Sequence, residues 1–180
     1  VHEDRMIYGV SNPQPIEENL ISDRYATEPY SKRGVMNYKY IREWSKELIK
    51  EFKVKCDGPE APVKTLSGGN VQKVVAAREF SSDPKLLIAS QPTRGIDVGA
   101  TDLIRRKIVD LRDQKDTATL LFSADLNELI NVSDSIIVLY EGKIVAYFED
   151  LTGITPEVLG EYMLGVKKQD DAVIGGVVHE

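Results

Sequence analysis

Residues that build disulfide frameworks and metal centres are scarce in this sequence of 180 residues. There is one cysteine, Cys56, and the two histidines, His2 and His179, stand near opposite ends of the chain. A single cysteine excludes an internal disulfide or a multi-thiolate metal site and fits a reducing compartment. The histidines have no cysteine or carboxylate at ligand spacing, so zinc binding and Ser-His-Asp chemistry have little support. We therefore expect no metal site, and we expect Cys56 to be a partly buried small apolar residue.

Long apolar runs and an excess of positive charge are also missing. The longest aliphatic or aromatic runs, 136–140 and 144–148, have about five residues, whereas a bilayer crossing needs about 20. Twenty-three basic and 29 acidic residues give a net charge of −6, with the basic residues spread along the chain. This disfavours binding to a nucleic-acid backbone. The polar start has no signal-peptide core and no initiator methionine, which predicts a processed or excised piece.

Residues 1 to 82 have the patterns of a helical module. A short helix is predicted over 16–21, with Pro15 at its start. Asn37 is the predicted N-cap of a longer helix. Its predicted apolar stripe consists of Tyr40, Ile41, Trp44, Leu48, Ile49 and Phe52. Another helix is predicted to begin after Ser67, with apolar residues between Val71 and Phe80.

From Leu86 onward the pattern alternates between strands and helices. The run 86–89 is short and apolar, which is typical of a buried parallel strand with helices on both faces. Further strands are predicted over 119–123, 136–140 and 143–148, and helices over 98–112, 126–131 and from Thr155 onward. The tail from Gln169 has no clear period. This order predicts an α/β fold that follows a helical module.

The segment Leu66-Ser67-Gly68-Gly69-Asn70 stands at the start of a predicted helix. Adjacent glycines leave room for a group to approach the backbone, and unpaired first-turn N–H groups with the helix dipole favour an anion. Ser67 adds a hydroxyl group. The alternative interpretation is a serine N-cap after a flexible turn, which this segment alone does not exclude.

A second polar segment, Ser90-Gln91-Pro92-Thr93-Arg94-Gly95-Ile96-Asp97, follows the predicted strand 86–89. Loops at the carboxyl ends of parallel strands are where α/β sheets bind ligands. The alternative is a plain connection capped by Asp97. Arg94 similarly has two interpretations, a contact to a nucleotide site or an ordinary ion pair.

These segments, in this order, resemble the ATP-binding subunits of ATP-binding-cassette (ABC) transporters. Residues 66–70 resemble the signature motif, 86–91 the Walker B strand, 94–97 the D-loop and 123–125 the switch position. Further segments are similar to the second cassette of tandem-cassette importers for simple sugars and nucleosides: Glu3-Asp4-Arg5, Glu18-Asn19-Leu20, Gln72-Lys73, 91–100 and 140–143. The resemblance extends from about residue 3 to residue 165. It implies the C-terminal part of an ABC-type P-loop ATPase core together with an α-helical subdomain.

The resemblance also implies a division of the chain and a set of partners. Residues 1–13 would be a remnant of an upstream core segment, 14–82 the helical signature subdomain, 83–165 the C-terminal part of the nucleotide-binding core, and 166–180 a tail. In the family the helical subdomain docks membrane permease subunits, which implies a cytoplasmic protein at the inner face of the cell membrane. A truncated core predicts exposed strand edges and self-association.

The chain departs from the family at the groups that bind phosphate and magnesium. It has no Gly-x-x-x-x-Gly-Lys-Ser/Thr sequence, and its Gly142-Lys143 pair is followed by Ile144. Ser90 and Gln91 stand at the acidic Walker B positions, and Ala124 replaces the switch histidine. The resemblance therefore implies a cassette that lies downstream of its P-loop and whose own site hydrolyses poorly.

The complete signature motif implies a role in trans. In the family two cassettes enclose each nucleotide between the P-loop of one and the signature helix of the other. The positions that would face ATP held by the other cassette are Ser67, Gly68, Gly69, Asn70, Gln72, Arg94 and Asp97. ATP and Mg²⁺ are expected for the complete subunit and no cofactor for this chain alone, which we expect to be inactive as an ATPase. Two alternatives are a stand-alone regulatory module without a P-loop and a cassette ATPase of DNA repair or translation.

Overall fold

The computed structural model describes residues 1–2 and 4–178, and the chain divides into two compact units between Phe122 and Ser123. The boundary between these units lies inside the predicted core segment 83–165. The predicted divisions near residues 13, 82 and 165 remain predictions. No helix in the described part of the chain combines the length and apolar character that a bilayer crossing requires.

The helical part of the first unit begins with a π-helical turn, Arg5–Gly9, and contains α1 (Ile16–Leu20), α2 (Tyr38–Glu51) and α3 (Gly68–Phe80). Asn37 caps α2, because its side chain accepts a hydrogen bond from the Tyr40 N–H. The predicted stripe of α2 is partly wrong. The buried residues on this side are Ile41, Ser45, Leu48 and Phe52, whereas Tyr40 is exposed.

A small hairpin, β1 (Ser31–Lys32) and β2 (Val35–Met36), precedes α2 and was not predicted from the sequence. Its turn residues Arg33 and Gly34 both have positive φ angles, 52° and 80°. Two-residue hairpin turns favour this backbone conformation because it matches the twist of the strands. Strands of two residues are too short to show an alternating pattern.

The third helix is the centre of the first unit. It contacts α1, α2 and α4 (Val98–Lys115), so residues on most of its circumference are buried. Its buried apolar residues are Val71, Val74, Val75, Ala76, Ala77 and Phe80. The apolar positions predicted for this helix are therefore confirmed.

The first unit also contains a parallel strand pair, β3 (Leu86–Ser90) and β4 (Ala118–Phe122). Parallel pairing is confirmed, but burial on both faces is not. Leu87 and Ala89 are buried, whereas Leu86 and Ile88 are 57% and 52% exposed. Leu120 of β4 is also exposed. Helix α4 packs against β4, whereas the face of the pair that carries Leu86, Ile88 and Leu120 remains exposed.

The second unit is built on an antiparallel pair, β5 (Ile136–Tyr140) and β6 (Lys143–Phe148). Helices α5 (Leu126–Val132) and α6 (Pro156–Met163) follow the predicted pattern. The buried core residues are Ile136, Val138, Val145, Ala146 and Leu159. A further helix, α7 (Asp171–Val178), packs against β6 in the tail. It was not predicted, because its almost uniformly apolar sequence has no helical period.

Candidate functional site

The signature segment begins α3 with an open first turn. Ser67 is the N-cap residue, but its side chain accepts no capping hydrogen bond from a backbone N–H of the helix. Its Oγ instead accepts a hydrogen bond of 3.0 Å from the Asn70 side chain. The first helical backbone bond runs from the Val71 N–H to the Ser67 carbonyl, so the N–H groups of the three residues before Val71 precede the hydrogen-bonded ladder. Ser67 and Gly68 are exposed.

Asn70 holds this turn in place through both ends of its side-chain amide. Its Nδ2 donates to Ser67 Oγ, and its Oδ1 accepts from the Lys55 N–H at 2.9 Å. Because the second bond reaches the segment that follows α2, the amide has a fixed orientation. The Ser67 hydroxyl oxygen is therefore positioned by a side chain and not by the helix backbone.

The loop 91–97 lies beside the signature segment, so the structure brings together two regions far apart in sequence. A Cβ atom at Gly69 would lie 3.7 Å from Cα of Ile96, which is ordinary van der Waals contact. At the base of the loop Gln91 has a positive φ of 49°, and its N–H donates to the Phe122 carbonyl at 2.8 Å. Arg94 is exposed, and its N–H donates to the Gln91 carbonyl.

Asp97 ends the loop and caps α4, which is the role that the alternative interpretation of this segment gave it. Its Oδ1 accepts a hydrogen bond of 2.9 Å from the Ala100 N–H. This bond, with a smaller contribution from the Lys73 ammonium group, holds the pKa of the Asp97 carboxyl below its usual value. Asp97 is therefore an anion at neutral pH, with a side chain that is 72% exposed.

Gln72 is placed differently from the other predicted site residues. It is only 1% exposed, and its Nε2 donates a 2.7 Å hydrogen bond to the Pro92 carbonyl. In this position it contacts the loop and not the surface at the start of the helix. The next residue, Lys73, is also buried and was singled out only as part of the Gln72-Lys73 resemblance. The sequence does contain a signal for a role of Lys73. It lies among the apolar residues of α3, and a lysine that is buried there needs a polar partner.

The two residues predicted to stand at the Walker B positions, Ser90 and Gln91, do not fit a magnesium ion. Ser90 and Gln91 offer a hydroxyl and an amide, whereas Mg²⁺ sites in proteins use one or two carboxylates. Within the described residues, no group of three or more His, Cys, Asp and Glu side chains is arranged to hold a metal ion. His2 Nδ1 accepts a hydrogen bond from the Asp4 N–H, and His179 lies outside the described residues. Cys56 is a free thiol of intermediate exposure, as predicted.

The predicted switch position, residues 123–125, belongs to the second unit. Ala124 is exposed and stands between Ser123, whose Oγ accepts from the Asp125 N–H, and Asp125, whose carboxylate caps α5. The methyl group of Ala124 has neither a donor nor an acceptor, so this position cannot make the side-chain hydrogen bond that a histidine would make.

Solved structures of ATP-binding cassettes have the same fold. One is described as the ATP-binding subunit of an ABC transporter, with a TM-score of 0.68 and 21% identity over 86% of this chain and 64% of that chain. Another is the cassette MJ0796 in a dimeric post-hydrolysis state with ADP and phosphate, with a TM-score of 0.65 and 23% identity over 81% of this chain and 60% of that chain. The predicted fold class is thereby confirmed: the chain has the α/β fold of part of an ABC-type ATPase core with an α-helical subdomain.

Curated relatives with clear sequence similarity are ATP-binding proteins of importers. The nucleoside import ATP-binding protein NupA of Lactococcus lactis subsp. cremoris is 37% identical over all 180 residues, which are 33% of its own length. The guanosine import protein NupO of Bacillus subtilis is 37% identical over 92% of this chain and 31% of its own length. The glucose import protein TsgD13 of Haloferax volcanii is 40% identical over 81% of this chain and 26% of its own length. The chain thus spans about a third of the length of these relatives. No protein-family model matches it.

Proposed function

We propose that the chain is part of the ATP-binding subunit of an ABC importer for nucleosides or simple sugars. Its role is to supply the signature motif in trans to ATP held by the P-loop of another cassette. The relatives named above support the importer class, because they are similar to the chain over most or all of its length. The position of the chain in a second, downstream cassette is part of this proposal.

The observation that carries the proposal is the open helix start at Ser67. An ordinary N-cap serine satisfies the helix N–H groups with its own oxygen. Here Ser67 Oγ is held by Asn70, and the first-turn N–H groups have no side-chain cap. A 13-residue helix with such a start presents several donors and a positive dipole end to an anion.

The chemistry of this surface suits the terminal phosphate of ATP. The backbone N–H groups of Gly68 and Gly69 and the Ser67 hydroxyl would donate hydrogen bonds to phosphate oxygens, and such bonds strengthen as negative charge develops. Bound ATP supplies the phosphoanhydride bond that is hydrolysed. Asn70 orients the Ser67 oxygen, and the loop with Arg94 and Asp97 flanks the same surface.

The site formed by this cassette itself is proposed to be degenerate. Ser90 and Gln91 cannot act as an anionic base or as the carboxylate that holds Mg²⁺. Ala124 lacks the imidazole expected at the switch position. The nucleotide and its metal would thus be bound mainly by the other cassette, and the chain alone would be inactive.

The partners follow from the same proposal. They are a P-loop-bearing cassette and membrane permease subunits, which would place the protein on the inner face of the cell membrane. The exposed residues of β3 and β4 additionally support self-association of the isolated chain. A monomer at all concentrations in sedimentation velocity would contradict that part. A stand-alone regulatory module is not favoured, because the relatives are themselves named as import ATP-binding proteins.

The proposal is tested with Ser67→Arg in the full-length polypeptide that contains this sequence, assembled with its permease. A long cationic side chain would occupy the space of the phosphate, so we expect ATP turnover to fall by at least about a hundredfold. Ser82→Arg is the matched control, because Ser82 is exposed just beyond the other end of α3. It should leave turnover unchanged.

The same variant should lose ATP turnover while it retains ATP binding. If the P-loop of another cassette holds the nucleotide, Ser67→Arg should leave ATP binding within about threefold of the unsubstituted protein, since most ground-state contacts to ATP would be made by that P-loop. Unchanged turnover in Ser67→Arg would contradict the proposed function.

A further inference from the structure

Gln72 joins the signature helix to the loop 91–97 through one buried hydrogen bond. The Pro92 carbonyl can only accept, so the Gln72 amide must present Nε2 to it. The amide oxygen Oε1 is buried and has no partner among the described residues. The side chain is therefore held by a single directed bond of 2.7 Å, and that bond fixes the first part of the loop.

Lys73 reaches the other end of the same loop. Its side chain is 7% exposed, and its Nζ lies 3.9 Å from Asp97 Oδ2. The same ammonium group donates a 3.2 Å hydrogen bond to the Lys53 carbonyl, which anchors it. Asp97 is the last residue of the loop and the N-cap of α4. The Lys73 cation therefore lies between α3 and the end of the loop.

Gly69 completes a single contact face on α3. Positions 69, 72 and 73 are related as i, i+3 and i+4, so they lie on one side of the helix. The backbone of Gly69 lies against Ile96, while Gln72 and Lys73 hold the two ends of the loop. The loop therefore follows one face of the helix whose first turn carries the signature segment.

We propose that Gln72 and Lys73 are positioning residues that lock the loop 91–97 to the signature helix. This inference rests on the proposed function and deepens it. A phosphate that binds at the start of α3 thereby also orders the loop that carries Arg94 and Asp97. Neither Gln72 nor Lys73 needs to touch the nucleotide, because both are buried on the side of the helix that faces the loop.

The test is hydrogen exchange in the full-length polypeptide, with and without Mg²⁺-ATP, read in peptides that cover 66–71 and 90–98. Gln72→Glu removes the donor to Pro92 and keeps the side-chain shape, and Lys73→Met removes the cation. The matched controls are Gln114→Glu and Lys46→Met, both at exposed positions. Lys73→Arg keeps the positive charge and serves as the conservative variant.

We expect the loop peptide to exchange about tenfold faster in Gln72→Glu and Lys73→Met than in the controls, as loss of one hydrogen bond of ordinary strength would produce. ATP should still protect 66–71 in these variants but should no longer protect 90–98. Lys73→Arg should restore the coupled protection. A general loss of structure would raise exchange in all peptides, including those of the second unit, so a structural defect is distinguishable.

Unchanged exchange and unchanged ATP protection of 90–98 in both variants would overturn the inference. If ATP protects neither peptide in the unsubstituted protein, the proposed function fails. The comparison without nucleotide then still decides whether Gln72 and Lys73 hold the loop.

Discussion

Asp97 shows, at the scale of the residue, how a cap and a charge are combined at the edge of the candidate site. The Ala100 N–H bonds its carboxylate, and the Lys73 ammonium lies beyond, so the pKa of Asp97 is lowered in the folded state. A carboxyl with a lowered folded pKa stabilises the fold above its unfolded pKa of about 3.9. That contribution is lost as the pH falls through the folded pKa.

Asp97→Asn provides the test, because the amide retains a capping oxygen and loses the charge. We expect the unsubstituted chain to be the more stable of the two at neutral pH. The difference should stay constant down to about one pH unit above the unfolded pKa and disappear as the pH falls through the lowered folded pKa. Urea unfolding at a series of pH values measures this. A difference that persists at low pH would mean that the charge of Asp97 is not its cause.

Capping residues such as Asn37 and Asp97 are predictable because a cap depends on a few neighbouring positions. The roles of Gln72 and Lys73 are not predictable in the same way. Their partners, Pro92 and Asp97, are 20 or more residues away, and only the packing of α3 against the loop brings them together.

At the scale of the element, α2 and α3 begin in different ways although both follow a typical capping residue. The Asn37 side chain accepts a hydrogen bond from the Tyr40 N–H, whereas the Ser67 side chain accepts none from a backbone N–H of its helix. Asn37→Ala should therefore lower the free energy of unfolding by about 1 kcal/mol. Ser67→Ala should lower it by less than about 0.5 kcal/mol, which is usual for an exposed side chain that does not cap a helix N–H group.

Chemical unfolding of Asn37→Ala and Ser67→Ala under identical conditions measures the two changes in the free energy of unfolding. Equal destabilisation would show that Ser67 is an ordinary cap, and it would remove the main structural support for a phosphate site at α3. The type of most elements follows from local sequence, from periodicity in α2 and α4 and from short apolar runs beside a turn in β5 and β6. The hairpin at 31–36 and α7 were missed because neither has enough residues with a repeating pattern.

At the scale of the whole molecule, the α/β class and the parallel pair of β3 and β4 were predictable, but their burial was not. A run such as Leu86-Leu87-Ile88-Ala89 indicates two covered faces. Within the described residues of the first unit one face of the pair lacks a cover, so Leu86 and Ile88 remain exposed. The local sequence shows that both faces of a strand are apolar. Whether both faces are buried depends on helices or strands that are distant in the sequence.

The central claim is that this chain supplies a signature surface and relies on another cassette to bind ATP. Calorimetric titration of the folded chain with Mg²⁺-ATP, after circular dichroism has confirmed its structure, tests that claim most directly. The account predicts no binding, or binding no tighter than about millimolar, because a helix start and a hydroxyl provide few contacts. Micromolar binding with turnover would contradict it, since it would require a complete phosphate site within these 180 residues.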